Sequence, residues 1–145
     1  MTGAARCYTE FMMQRVLMAA VIAGSAIGVV TIAAQAPTKT TNDGVYTAAQ
    51  AARGKAVFEA KCTGCHEPAR FTGEAFFEAF NDKPMKDIWD VASGTMPEDN
   101  PGSLKQQEYG DILAYFLALN EFKTGDTELA GNAAAMAAIK VEKKK

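Results

Sequence analysis

Apolar positions along the chain follow two distinct patterns. Val16 to Ala34 is an uncharged apolar run with no periodicity. From Thr47 onward the apolar residues recur at helical spacing instead. Ala48 to Lys61 is rich in alanine and other good helix formers. Thr47 stands where an N-cap is needed, and Gln50, three residues on, completes a capping-box pattern. Gly54 interrupts this helix at a cost of about 1 kcal/mol relative to alanine. Either another backbone approaches closely there or the glycine is simply tolerated. Glu74 to Phe80 predicts a short helix with Phe76, Phe77 and Phe80 as its apolar surface. Pro84 to Ala92 predicts another, because Met85, Ile88, Trp89 and Ala92 share one face. Gly94, Pro97 and Pro101 make Ser93 to Pro101 a loop. Leu104 to Asn120 is the last strong helix, and it is apolar enough to need cover on more than one side. No alternating strand pattern or internal repeat is present, so the expected fold class is all-α.

The two ends read differently from this helical stretch. Arg6 and Arg15 precede the apolar run, which closes on Ala34-Gln35-Ala36 before Pro37. A basic flank, an apolar stretch and a small-x-small site describe a secretory leader over 1–36, with Met12 or Met13 as an alternative start. The competing reading is an uncleaved membrane anchor. Gly24, Ser25, Gly28 and Thr31 dilute the run and favour cleavage. Both readings deliver the rest of the chain outside the cytoplasm, and a periplasmic location is expected. Residues 37–46 read as a linker, 47–130 as the folded domain and 131–145 as an Ala/Lys-rich tail with Leu129 and Ile139 as candidate tethers.

Charge narrows the range of partners. Residues 44–130 hold 8 basic and 14 acidic side chains, net −6. A nucleic-acid partner needs a basic face, so none is expected. Lys140, Lys143, Lys144 and Lys145 give the tail the opposite sign. They are either a solvated surface or a means of steering an acidic partner.

The chemistry is concentrated in Cys62-Thr63-Gly64-Cys65-His66. Two thiols at this spacing can each bond one vinyl group of a haem, and the adjacent imidazole then becomes the proximal iron ligand. A zinc site would need about four Cys or His ligands, and beyond the leader this chain offers only Cys62, Cys65 and His66. A thioredoxin-like redox pair belongs beside a βαβ pattern, which is missing. A disulfide across so short a loop would stabilise little. One covalent haem c is therefore the expected cofactor.

His66 is the only histidine in the chain, so a second imidazole ligand is excluded. Met85, Met96 and Met136 remain as thioether donors outside the leader. Met85 sits on an apolar stripe that core packing explains, and Met136 lies in the alanine-rich tail with no bulk around it. Met96 lies in Gly94-Thr95-Met96-Pro97, off every stripe, where a loop stiffened by proline can present sulfur rigidly. It is the favoured sixth ligand. Thioether ligation stabilises the ferrous state and fills both axial positions, which suits one-electron transfer. Phe76, Phe77, Trp89, Ile112 and Phe116 are the candidate haem-burying residues. The alternative is a haem enzyme or gas-binding protein with an open or labile sixth site.

With these elements in this order, the stretch from Thr47 to Phe122 resembles the class I cytochromes c. Gly54 and Phe58 match that family's Gly-x-x-x-aromatic pattern ahead of the haem motif. Asp111 to Phe116 is similar to its C-terminal helix. The resemblance implies a few helices wrapped around one haem, with the N- and C-terminal helices crossing closely. It also implies His66 and Met96 as axial ligands. Thr95-Met96-Pro97, Pro101 to Leu104 and Leu119 to Phe122 look more specifically like bacterial monohaem cytochromes, which also occur beside quinoprotein dehydrogenases. Such a chain passes electrons between redox partner proteins, and no catalytic residues of its own are expected. Two departures stand out. Lys105 replaces a frequent capping Ser or Thr, and Pro68 is not spaced to orient His66 as a proline does in relatives.

Overall fold

Helix α1, Ala48–Lys61, opens where its cap predicts, with the Thr47 hydroxyl accepting from the Gln50 backbone N–H at 3.1 Å. The structure is a computed structural model that describes residues 36–144. The apolar run read as a leader or anchor lies outside the described residues. Helices α2 (Gly73–Phe80), α3 (Lys86–Thr95), α4 (Gln106–Leu119) and a short α5 (Ala133–Ala137) follow. Among the described residues, strand is confined to β1 (Lys39–Thr40) and β2 (Ile139–Lys140), so the fold is all-α. No helix of the described residues is long and apolar enough to cross a membrane.

Several helix ends differ from the sequence reading. Gln50 does not close the capping box. Its buried side chain instead donates to Asp111 Oδ1 (3.0 Å) and the Leu129 carbonyl (2.7 Å), and accepts from the Leu129 N–H (2.7 Å). Helix α3 continues through residues expected to be loop. The Ser93 and Thr95 hydroxyls donate back to the Trp89 and Val91 carbonyls at 2.7 Å each, so these polar side chains are satisfied within the helix. Helix α4 starts without a Ser or Thr cap because the Glu108 carboxylate accepts from the Lys105 N–H at 2.7 Å.

Gly54 settles how α1 and α4 meet. A Cβ there would lie 1.8 Å from the Asp111 carbonyl oxygen, so the helices cross backbone against backbone. Phe58 of α1 packs against Ile112, Tyr115 and Phe116 of α4 beside this crossing. A larger core joins Tyr46, Phe76, Met85, Trp89, Leu113, Leu117 and Met136.

The segments read as linker and tail prove to be part of that core. Strand β1 pairs in parallel with β2, Lys39 opposite Ile139. The fully buried Thr41 hydroxyl donates to the Glu142 carbonyl and accepts from its N–H, each at 3.0 Å. Tyr46 is buried and donates to the Phe122 carbonyl at 2.6 Å. Downstream, Met136, Ile139 and Val141 are buried. Their strand bonds to the turn between α2 and α3, through Met85 N–H to Ile139 O and Val141 N–H to Lys83 O, both 2.8 Å. Leu129 and Ile139 are buried tethers, as their apolarity suggests, but a short strand with few apolar residues leaves no periodic signal for the pairing itself. Tail lysines turn back on the chain's own carboxylates, Lys143 on Glu74 (2.6 Å) and Lys144 on Glu121 (3.1 Å).

One ionic network around the buried Asp111 binds these parts together. Asp111 accepts from Arg53 Nε (3.0 Å), Gln50 Nε2 (3.0 Å) and Gln107 Nε2 (3.0 Å). Burial alone would push its carboxyl up. The donors, Arg53 first among them, outweigh burial and hold it below the usual carboxylate range. A depressed carboxyl stabilises the fold above its unfolded pKa of about 3.9, and that stability is lost as pH falls through the folded value. Asp111→Asn is therefore expected to lose about 1–3 kcal/mol at pH 7. Urea unfolding should find the gap to wild type shrinking below about pH 4. A gap unchanged between pH 7 and pH 3 would contradict this account.

Candidate functional site

Helix α1 ends at Lys61, and the next residues wrap one further turn. Cys62 N–H donates to the Phe58 carbonyl (2.8 Å), and the Cys65 and His66 N–H groups both donate to the Cys62 carbonyl (3.1 and 2.9 Å). The Thr63 hydroxyl fastens the turn to the Glu59 carbonyl at 2.8 Å. Cys62, Cys65 and His66 thereby reach the wall of one cavity of about 720 Å³. Met96 lines the same cavity from the C-terminal end of α3. The four residues singled out in the sequence are thus brought together. Met85 is fully buried and does not line the cavity, as its stripe predicts. Met136 is also fully buried outside the cavity lining, so the tail surrounds it with more bulk than the sequence reading allowed.

Neither thiol is engaged in a disulfide. Cys62 is half-buried, and burial pushes its thiol up; Cys65 is exposed. His66 Nδ1 is buried and has no hydrogen-bond partner among the described residues. A ligating histidine usually donates its second ring nitrogen to a carbonyl or carboxylate. The His66 imidazole has an aromatic neighbour instead. Pro68 opens a 3₁₀ turn, Pro68–Phe71, that delivers Phe71 edge-on to His66 with ring centroids 5.7 Å apart. Phe71 in turn stacks on Phe116 at 4.2 Å, nearly parallel. Asn120 holds this turn to the end of α4, donating to the Phe71 carbonyl (2.8 Å) and accepting from the Gly73 N–H (2.9 Å).

Of the expected wall residues, Phe76, Ile112 and Phe116 line the cavity, and Phe77 and Trp89 do not. Phe77 faces Phe122, and Trp89 faces Tyr109. Phe76 and Phe80 are four residues apart and share the cavity face of α2, while Phe77 is turned away from it. Phe58, Phe71 and Tyr109 are wall residues the sequence reading did not assign to the cavity. For Phe58 the signal was available in its spacing ahead of the cysteines.

Residues of both charge signs line the cavity. Lys61 and Arg70 come from the segment around the cysteines, and Glu98 and Asp99 from the loop after Met96. Val91, 55% exposed, adds an apolar residue to the lining. The volume falls within the ~300–1,000 Å³ of cofactor pockets, whose walls are mainly apolar with a few placed polar groups. Two free thiols, one imidazole and one thioether around aromatic walls fit a covalently held haem.

A family model described as cytochrome c oxidase, cbb3-type, subunit III matches residues 49–116. That span starts in α1, contains Cys62, Cys65, His66 and Met96, and ends in α4. Comparison with curated proteins and with solved structures gave no match.

Proposed function

We propose that this chain, which carries a class I c-type cytochrome domain with covalently bound haem c, is an extracytoplasmic one-electron carrier or the electron-accepting subunit of a larger redox complex. The observation that carries the reading is the single cavity lined by Cys62, Cys65, His66 and Met96. Bound haem supplies an Fe(III)/Fe(II) couple. Cys62 and Cys65 would hold the group through thioether bonds, and His66 and Met96 would hold its iron, an arrangement suited to electron transfer rather than substrate binding. Phe58, Phe71 and Phe116 keep water from the imidazole side, and apolar surroundings disfavour the more charged ferric form. The leader-like run at 16–34 supports export to the periplasm. Partners are redox proteins that dock briefly through a small patch, as redox encounters usually do. The acidic balance of residues 44–130 speaks against nucleic acid.

Expression in cells that mature c-type haem provides the test. A haem stain should survive denaturing electrophoresis, and the ferric protein should carry a near-infrared methionine–iron band. Loss of the stain would end the covalent-haem assignment. Ready binding of CO by the ferrous protein would favour the open-site alternative.

A further inference from the structure

We infer that Tyr109 is the positioning residue for Met96, an inference that rests on the ligand reading above. Tyr109 belongs to α4, is 1% exposed and lines the cavity. Its hydroxyl donates to the Met96 carbonyl at 2.7 Å. The same oxygen accepts from the Leu104 N–H at 3.4 Å. One side chain therefore joins both ends of the loop that leaves α3 at Met96 and reaches Leu104, just ahead of α4. The Met96 carbonyl accepts a second bond, from the Gly102 N–H at 3.2 Å, which folds the loop back on itself.

This arrangement fixes the backbone from which the Met96 side chain departs. Met96 is the last residue of its turn, with its N–H donating to the Ala92 carbonyl at 3.2 Å. Beyond it the chain has left the helix, so helical hydrogen bonds no longer hold its carbonyl. Tyr109 supplies that restraint from a helix that also touches the haem-attachment side through Ile112 and Phe116. The tyrosine ring itself is fixed edge-to-face against Trp89, centroids 6.1 Å apart. Met96 and His66 are thereby referenced to the same rigid element. Tyr115, in the same helix, packs on Phe58 and lines no part of the cavity, which makes it a matched control.

Tyr109→Phe keeps the ring and removes only the hydroxyl. Both of its bonds are lost, and the shorter one, to the Met96 carbonyl, is alone worth roughly a fivefold to tenfold change in an equilibrium. The holo-protein variant is therefore expected to give up Met96 to added imidazole at a roughly fivefold to tenfold lower concentration than wild type. Its near-infrared methionine band should weaken on warming before the fold unfolds by circular dichroism. Tyr115→Phe should leave the imidazole titration unchanged. Equal imidazole affinities for Tyr109→Phe and wild type, with the band present in both, would overturn the assignment of Tyr109 alone. A wild-type protein lacking the band would overturn the ligand reading and the role of Tyr109 with it.

Discussion

Gly54→Ala is expected to lower the thermal midpoint of the holo-protein by roughly 15–30 °C, or to abolish folding. The added methyl would lie 1.8 Å from the Asp111 carbonyl oxygen, 2.3 Å from its carbon and 2.9 Å from the Ile112 nitrogen. All three are backbone atoms of α4, so no side chain can rotate to make room. The helices must separate. Separation strains the packing of Phe58 against Tyr115 and Phe116 and lengthens the bonds from Gln50 and Arg53 to Asp111. Overpacking alone costs about 1–3 kcal/mol. With the polar losses added, a total of about 4 kcal/mol is a large share of the ~5–15 kcal/mol that a domain has. Gly94→Ala is the control, because its Cβ would meet nothing within 4 Å in the same kind of structure. It should be neutral or stabilise by about 0.5–1 kcal/mol. Thermal unfolding of the three ferric proteins, followed by circular dichroism, checks both statements. A Gly54→Ala midpoint within a few degrees of wild type would refute the backbone-contact argument.

Met96→Ala should change the chemistry without preventing haem attachment. Cys62, Cys65 and His66 lie on a separate turn, held to α1 by the Phe58 and Glu59 carbonyls. Haem should still stain after denaturing electrophoresis. The near-infrared methionine band should disappear, and the ferrous protein should bind CO. Loss of the thioether also removes a ligand that favours ferrous iron. The potential should fall by on the order of 0.1 V, a modest part of the ~0.8 V that axial ligands span. Spectroelectrochemistry measures this directly. A variant with unchanged potential and no CO binding would mean that Met96 is not the sixth ligand. The corresponding Met136→Leu variant should keep both properties, since that side chain is fully buried outside the cavity lining.

Helical spacing made α1, α2, α3 and α4 legible in the sequence, and the attachment turn was legible from five residues. These features depend on contacts within three or four positions, where periodicity and chemistry speak directly. What remained hidden depends on contacts between distant parts of the chain. Gln50 read as a cap because its spacing fits one, yet its amide is spent on Leu129. Phe71 had no periodic partner, and only the 3₁₀ turn brings it to His66. Residues 37–46 looked polar because only Val45 and Tyr46 break the run, but Thr41 buries a hydroxyl that the Glu142 backbone satisfies completely. The lysine-rich end is polar in composition, but its strand is held in place through main-chain atoms. A sequence read by side chain does not reveal such backbone pairing.

The clasp between β1 and β2 bears on the order in which the protein can be made. Synthesis and export both proceed from the N-terminus, so Cys62 to His66 emerge before Ile139 and Val141. Without those residues Thr41 has no partner, the turn at Lys83 to Met85 lacks its strand, and the larger core is incomplete. The attachment turn thus has an interval during which the chain around it cannot close. A covalent cofactor must be fitted to both thiols and the imidazole while they are still accessible. Late completion of the core would leave that opportunity open before β2 closes the fold.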